Sequence, residues 1–242
     1  MIWRLVKTET TLSLRDKVGP LWGVGLPLVL LVVLGNVPSL REPDPALGGL
    51  TLFDLYVPVL VLFNLAMLAL VAVPTVLAGY RENGVLRRLR TTPIGPARVL
   101  AAQLVANLGI AVVATIVFLG TARLAFGVGL PQPGFLVAWI LVAAAMLAIG
   151  LLITALAPGR PQATAIGTVL YFPLMFFAGL WVPISQMPPT LRDIAHVTPL
   201  GAGMQAFEAA YAGGFPAAQP LLVLTAYAVV CAAAAIRFFR WS

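Results

Sequence analysis

Residues 55–98 read LYVPVLVLFNLAMLALVAVPTVLAGY followed directly by RENGVLRRLRTTPIGPAR. No charged side chain occurs from Leu55 to Tyr80. The stretch after it holds five of the fifteen basic residues, Arg81, Arg87, Arg88, Arg90 and Arg98, beside one acid, Glu82. An uncharged run of this length crosses the roughly 30 Å of a bilayer's hydrocarbon at about 1.5 Å per helical residue. Lipid tolerates only helices or closed barrels, and the run shows no period-two alternation, so the fold class is an all-α integral membrane protein.

Outward from that stretch the pattern repeats. Uncharged segments at 18–40, 55–80, 99–122, 135–157, 161–191 and 209–236 predict six transmembrane helices, in one domain over 1–242 without internal repeats. The chain is 61% hydrophobic and only 10% charged, against about 25% charged in soluble domains. Its net charge of +7 reads as topology rather than nucleic-acid binding. With the N-terminus inside, Arg4, Lys7, Arg15, Lys17, Arg81, Arg87, Arg88, Arg90, Arg98, Arg160, Arg237 and Arg240 are cytoplasmic, and Arg41, Arg123 and Arg192 fall outside. Both termini are then cytoplasmic. Residues 1–18 mix charge with Ile2, Trp3, Leu5 and Val6, and predict an interfacial helix anchored by Trp3, with no cleavable signal. Arginine far outnumbers lysine, as in a high-GC bacterial genome, which makes a bacterial plasma membrane the expected location.

Within the spans, Pro58 and Pro74 predict bends in the second helix. Spans 4 and 5 are joined by only Pro158-Gly-Arg-Pro161, a tight inner hairpin. The stretch 183–214 is punctuated by Pro183, Pro188, Pro189, Pro199, Gly201, Gly203, Gly213 and Gly214. It predicts two short outer helices at 189–197 and 204–212, each about 14 Å long and too short to cross. Such pieces lie at the interface or dip in and return, capping or lining something.

Much chemistry is excluded. A phosphate-binding P-loop needs Gly-Lys-Ser/Thr, but Lys7 follows Val6 and Lys17 follows Asp16. Nucleotide-driven work must therefore come from another polypeptide. One histidine, His196, and one cysteine, Cys231, make no metal cluster, and no carboxylate pair sits inside a span. In the basic loop, Val85, Leu86 and Leu89 share a helical face opposite Arg87, Arg88 and Arg90. This is either a solvated loop obeying the positive-inside rule or an amphipathic helix that docks in a groove of a cytoplasmic protein.

The spacing Arg81-Glu82-x-Gly84-x-Leu86-x-x-Leu89-x-x-x-Pro93 resembles the cytoplasmic signature of the type-2 ATP-binding-cassette exporter permeases, a group that exports drugs, lipids and polysaccharides. Phe177-Ala-Gly179, Pro183, Met187-Pro-Pro189, Leu191, Ile194 and Pro199-Leu200 resemble that family's extracellular re-entrant helices, although Gly201-Ala-Gly203 departs from its polar or aromatic residues there. The resemblance implies a non-enzymatic permease subunit that forms a homodimer and docks two copies of an ATPase subunit carrying the ATP and Mg. It places a coupling helix over 82–96, with Arg81, Glu82, Gly84, Leu86, Arg87, Leu89, Arg90 and Pro93 transmitting ATPase motion. Pro183, Pro188, Pro189, Pro199 and Glu208 become an extracellular gate. Asn64, Gln103, Asn107, Phe172, Phe176 and Phe177 are pathway candidates, or else interhelical glue and packing. The expected cargo is a hydrophobic or amphipathic drug or lipid. The alternatives are a polysaccharide or lipid-linked glycan, or a membrane anchor that recruits a partner without transporting anything.

Overall fold

The computed structural model describes residues 6–8, 10–11, 21–43, 49, 51–85 and 96–238, apart from the side chains of residues 21, 22, 96 and 97. Among them the chain is helical, and an isolated bridge between Pro43 and Thr51 is the sole β-type pairing. A π-helical turn, Leu21–Gly25, leads into α1 (Leu26–Gly35). Helix α2 (Leu52–Ala66) runs through a π-turn, Met67–Ala72, into α3 (Val73–Glu82). Then follow α4 (Pro96–Phe126), α5 (Gly134–Leu156), α6 (Arg160–Phe177), the short α7 (Pro189–Val197) and α8 (Pro199–Tyr211), and finally α9 (Ala218–Phe238).

Among the described residues four helices are long and apolar enough to cross a membrane: Leu52–Glu82, Arg98–Phe126, Gly134–Leu156 and Ala218–Phe238, of 31, 29, 23 and 21 residues. At about 1.5 Å per residue even the shortest reaches about 30 Å. The other two expected spans are weaker. The apolar helix Gly23–Gly35 is short, and α6 begins Arg160-Pro-Gln-Ala-Thr164, a polar first turn that dilutes its hydropathy. Helix α6 also ends at Phe177 rather than running to residue 191. Gly179, at φ +89°, turns the chain there, its N–H donating to the Phe176 carbonyl and that of Leu180 to Met175.

Packing joins these helices around α5, which lies most extensively against α9 and also meets α8, α3 and the π-turn. The long second helix starts in a capping box: Thr51 N–H donates to Asp54 Oδ2 (2.9 Å) while Asp54 N–H donates to Thr51 Oγ1 (3.1 Å). Just ahead of Pro74 it passes through the π-turn, in which the Val73 N–H reaches back to the Leu68 carbonyl. Pro74 has no N–H, so a carbonyl about one turn back loses its donor. A Cβ at Gly150 of α5 would overlap the Ala69 carbonyl, and one at Gly167 of α6 would overlap the Leu70 carbonyl. The two glycines therefore bring α5 and α6 onto the backbone at the point where the proline has disturbed its ladder, as small residues do at intramembrane contacts.

The two short helices differ in length. Helix α7 spans the predicted 189–197, whereas α8 begins at Pro199, ahead of the predicted 204. Proline is tolerated at a first helical position, and Thr198 caps it by accepting the Gly201 N–H at 3.2 Å. Gly201 sits where a side chain would strike the Ala195 carbonyl, and Gly203 abuts Val142 and Leu62. The two glycines act as packing contacts here, not as helix breakers. Because residues 209–211 belong to α8, the last long helix starts at Ala218 rather than 209.

Candidate functional site

Two regions at opposite ends of the bundle collect the residues singled out in the sequence. At one end α3 stops at Glu82, with Asn83 as its cap and Gly84 at φ +68°, a left-handed turn that favours glycine. The last two residues of α3 face the α5–α6 turn. Arg81 donates through Nη1 to the Thr154 carbonyl (3.2 Å) and through Nη2 to the Ala157 carbonyl. Both acceptors lie in the last turn and C-cap of α5, where carbonyls lack intrahelical donors and the helix dipole is negative. Glu82 Oε2 accepts the Arg160 N–H at 3.0 Å, at the first turn of α6. The N-cap residue there, Gly159, has no side chain to perform that function. Consecutive residues of opposite charge thus cap opposite helix ends across one four-residue turn.

The contact continues one turn deeper. Thr164 donates to the Arg160 carbonyl (3.0 Å), and its hydroxyl lies 2.8 Å from that of Thr75 on α3. A hydroxyl has one proton, so with Thr164 committed to the carbonyl, Thr75 is the donor of the pair. Ala78, Ala157 and Ala163 form a small buried cluster beside them. Leu86, Arg87, Leu89, Arg90 and Pro93, the rest of the expected coupling helix, lie outside the described residues, as does most of the expected interfacial helix over 1–18 with Trp3.

At the opposite end, Glu208 of α8 and Pro183 line one small cleft with Tyr56, Gly179, Ile184 and Met204. No hydrogen bond or ion pair engages the Glu208 carboxylate among the described residues, and burial pushes its pKa from the ordinary 4.5 up to about 7. Burial likewise raises the Tyr211 hydroxyl, with the Asp54 charge adding to it. Pro188 and Pro189 stand at the start of α7, and Pro199 at the start of α8. Arg192 of α7 donates to the carbonyls of Ser185 (2.8 Å) and Met187 (3.1 Å), bracing the turn Ile184–Gln186.

Among the described residues the six pathway candidates sit in different local settings. Asn64 is fully buried and donates to the Gly23 carbonyl in the π-turn before α1, at 2.5 Å. Asn107 donates to the Gln103 carbonyl on its own helix (2.9 Å) and lines a small apolar crevice with Leu65, Leu68 and Ala143. Phe172 is exposed and stacks on Trp181 with ring centroids 6.4 Å apart, while Phe176 and Phe177 meet edge to face. Sequence reasoning did not single out Thr154, Ala157 or Gly159 in this contact, although it found the tight turn, Pro158-Gly-Arg-Pro161, that contains Gly159.

Comparison with known families decides the class. The sequence profile of the ABC-2 type transporters matches residues 1–211, from the first residue through α8. The chain belongs to the ABC-2 type transporter family. No curated protein sequence matches it. As an ABC-2 type transporter it is a multi-pass membrane protein and a transport permease rather than a catalyst. Its family usually works with an ATPase partner.

Proposed function

We propose that this ABC-2 type transporter chain is the permease subunit of an ATP-driven exporter that carries a hydrophobic or amphipathic small molecule, a drug or a lipid, out of a bacterial cell. The observation that carries the reading is the family match over residues 1–211. The absence of any Gly-Lys-Ser/Thr sequence supports placing ATP and Mg on a separate chain. In this reading two copies of the permease pack together, six passes each, with both termini in the cytoplasm and two ATPase subunits docked beneath. Residues 82–96 form the coupling region, with the Leu86/Leu89 ridge seated in the ATPase and Arg87 and Arg90 beside it. A ligand-driven cycle then needs only that the ATPase contact this region differently in its two states.

Charge placement supports the cargo class. Among the described residues Asp54, Arg81, Glu82, Arg98, Arg123, Arg160 and Arg237 all sit in the first or last turns of their helices, so the middle of the bundle offers no fixed charge to a highly charged substrate. Pro183, Pro188, Pro189, Pro199 and Glu208 frame the outer gate.

Purifying the tagged chain from its native membranes tests this reading. An ATPase should accompany it, and Leu86→Asp with Leu89→Asp should strip that ATPase away. Export of lipophilic fluorophores from ATP-energised vesicles should then stop. A wild-type chain that carries no ATPase, or wild-type vesicles that export nothing, would sink the exporter reading and leave the anchor alternative standing, whereas vesicles that export equally well with the double substitution would remove the Leu86/Leu89 ridge from the coupling region. A panel that includes lipid-linked oligosaccharides separates the glycan alternative by which compounds stimulate ATP hydrolysis.

A further inference from the structure

We propose that Arg81 and Glu82 are positioning residues that make the α5–α6 turn a second moving part of the coupling apparatus. A push on the chain just beyond Gly84 then displaces α5 and α6 together with α3. The inference rests on the exporter reading, because it needs an ATPase to deliver the push.

Three observations support it. The first is the match of charge to helix end. The Arg81 guanidinium meets the carbonyls of Thr154 and Ala157 at the negative end of α5, and the Glu82 carboxylate meets the Arg160 N–H at the positive end of α6. Those backbone groups have no partner inside their own helices, so the clasp is strong for its size, being charge-assisted on both sides. The second is that nothing local competes for the position: the residue at the α6 N-cap is Gly159, which makes no side-chain cap. The third is stiffness. The Thr75–Thr164 contact and the Ala78, Ala157 and Ala163 cluster extend the junction a turn further into the bundle, where close-packed small side chains leave little room for slip.

The location gives the clasp its consequence. Glu82 is the last residue of α3, and the coupling region begins there. Load applied to that region enters α3 through its end, and the clasp divides it between α3 and the turn at 157–160. Arg81 and Glu82 thereby act on transmission, while ATPase contact falls to residues after Gly84.

Hydrogen–deuterium exchange of the full chain in lipid nanodiscs tests the clasp directly. Glu82→Ala and Arg81→Ala should each raise exchange of the 158–164 segment by about tenfold, the fold-change expected when a charge-assisted hydrogen bond is lost. Unchanged exchange in both variants overturns the proposal. Transmission is read in the complex purified through this chain with its ATPase. In the unsubstituted complex, trapping with ATP and vanadate should change exchange in the outer 178–188 segment. Glu82→Ala should carry the same amount of ATPase but lose that change. In a Cys231→Ser background, Glu82→Cys with Gly159→Cys joined by a short reducible bis-methanethiosulfonate linker should restore it, and dithiothreitol should abolish it again. If Glu82→Ala loses the ATPase, Glu82 is a docking contact and the proposal falls. If the linker fails to restore the change, it falls as well, with the exporter reading intact. If no ATPase accompanies the unsubstituted chain, both fall together.

Discussion

Single side chains hold this molecule mainly by completing backbone hydrogen bonds that helix ends and prolines leave open. Thr51 and Asp54 do so at the start of α2, and Thr51→Ala should lower unfolding stability by about 1 kcal/mol in a chemical denaturation series, the usual worth of an N-cap. Glu208 works in the other direction. Its folded pKa of about 7 lies above the ordinary 4.5, so the folded state holds the proton more tightly than the unfolded chain. The cost of burying the charge is absent below about pH 4.5, grows as pH rises and is complete above about 7. Thermal unfolding in detergent should therefore show stability falling from pH 5 to pH 8, and Glu208→Gln should flatten that dependence and raise the midpoint at pH 8. The Thr-x-x-Asp spacing at 51–54 is legible in sequence as a capping box, although the uncharged run itself starts only at residue 55. The partners of Arg81 and Glu82 are not legible. They are backbone atoms of residues 73, 76 and 78 positions away, and backbone groups have no residue-type signature.

Helices in this protein meet where glycine permits backbone contact. Gly150 and Gly167 each lie against a carbonyl of the π-turn ahead of Pro74, and the space a side chain would need is filled by backbone. Gly150→Val or Gly167→Val should cost about 1–3 kcal/mol or more, as overpacking does, because a carbonyl cannot rotate away like the tip of a side chain. Size-exclusion profiles and thermal midpoints in detergent would show it, and wild-type behaviour of both variants would refute the close approach. The two prolines predict a bend in the second helix from sequence, whereas the π-turn, and the glycines that answer it from two other helices, are matters of tertiary packing. The same limit explains α8. Gly201 and Gly203 read locally as breakers, and only the nearness of Ala195, Val142 and Leu62 makes them helix contacts.

At the scale of the whole molecule, long helices present broad aliphatic faces outward, among them Val105, Val113 and Ile116 on α4 and Leu222, Val229, Val230 and Ile236 on α9. Patches of that size and character suit lipid or another copy of the chain. Native mass spectrometry from nanodiscs should give twice the chain's 25.5 kDa; a stable single copy would remove the two-copy pathway. The uncharged runs made the class and four of the long helices readable in advance, since hydrocarbon imposes length and apolarity residue by residue. The ends were less readable, because capping, proline placement and neighbour contacts decide them. One such end also limits how the chain can be altered. The connection at 157–160 is short enough for two adjacent side chains to reach both helices it joins, so its length is a functional dimension. A few residues inserted at 127–133 would lengthen a connector at the other end, whereas the same insertion at 157–160 would part Arg81 from one helix or Glu82 from the other. Tolerance to added chain length should thus be lopsided, ample at one membrane face and nearly nil at the other.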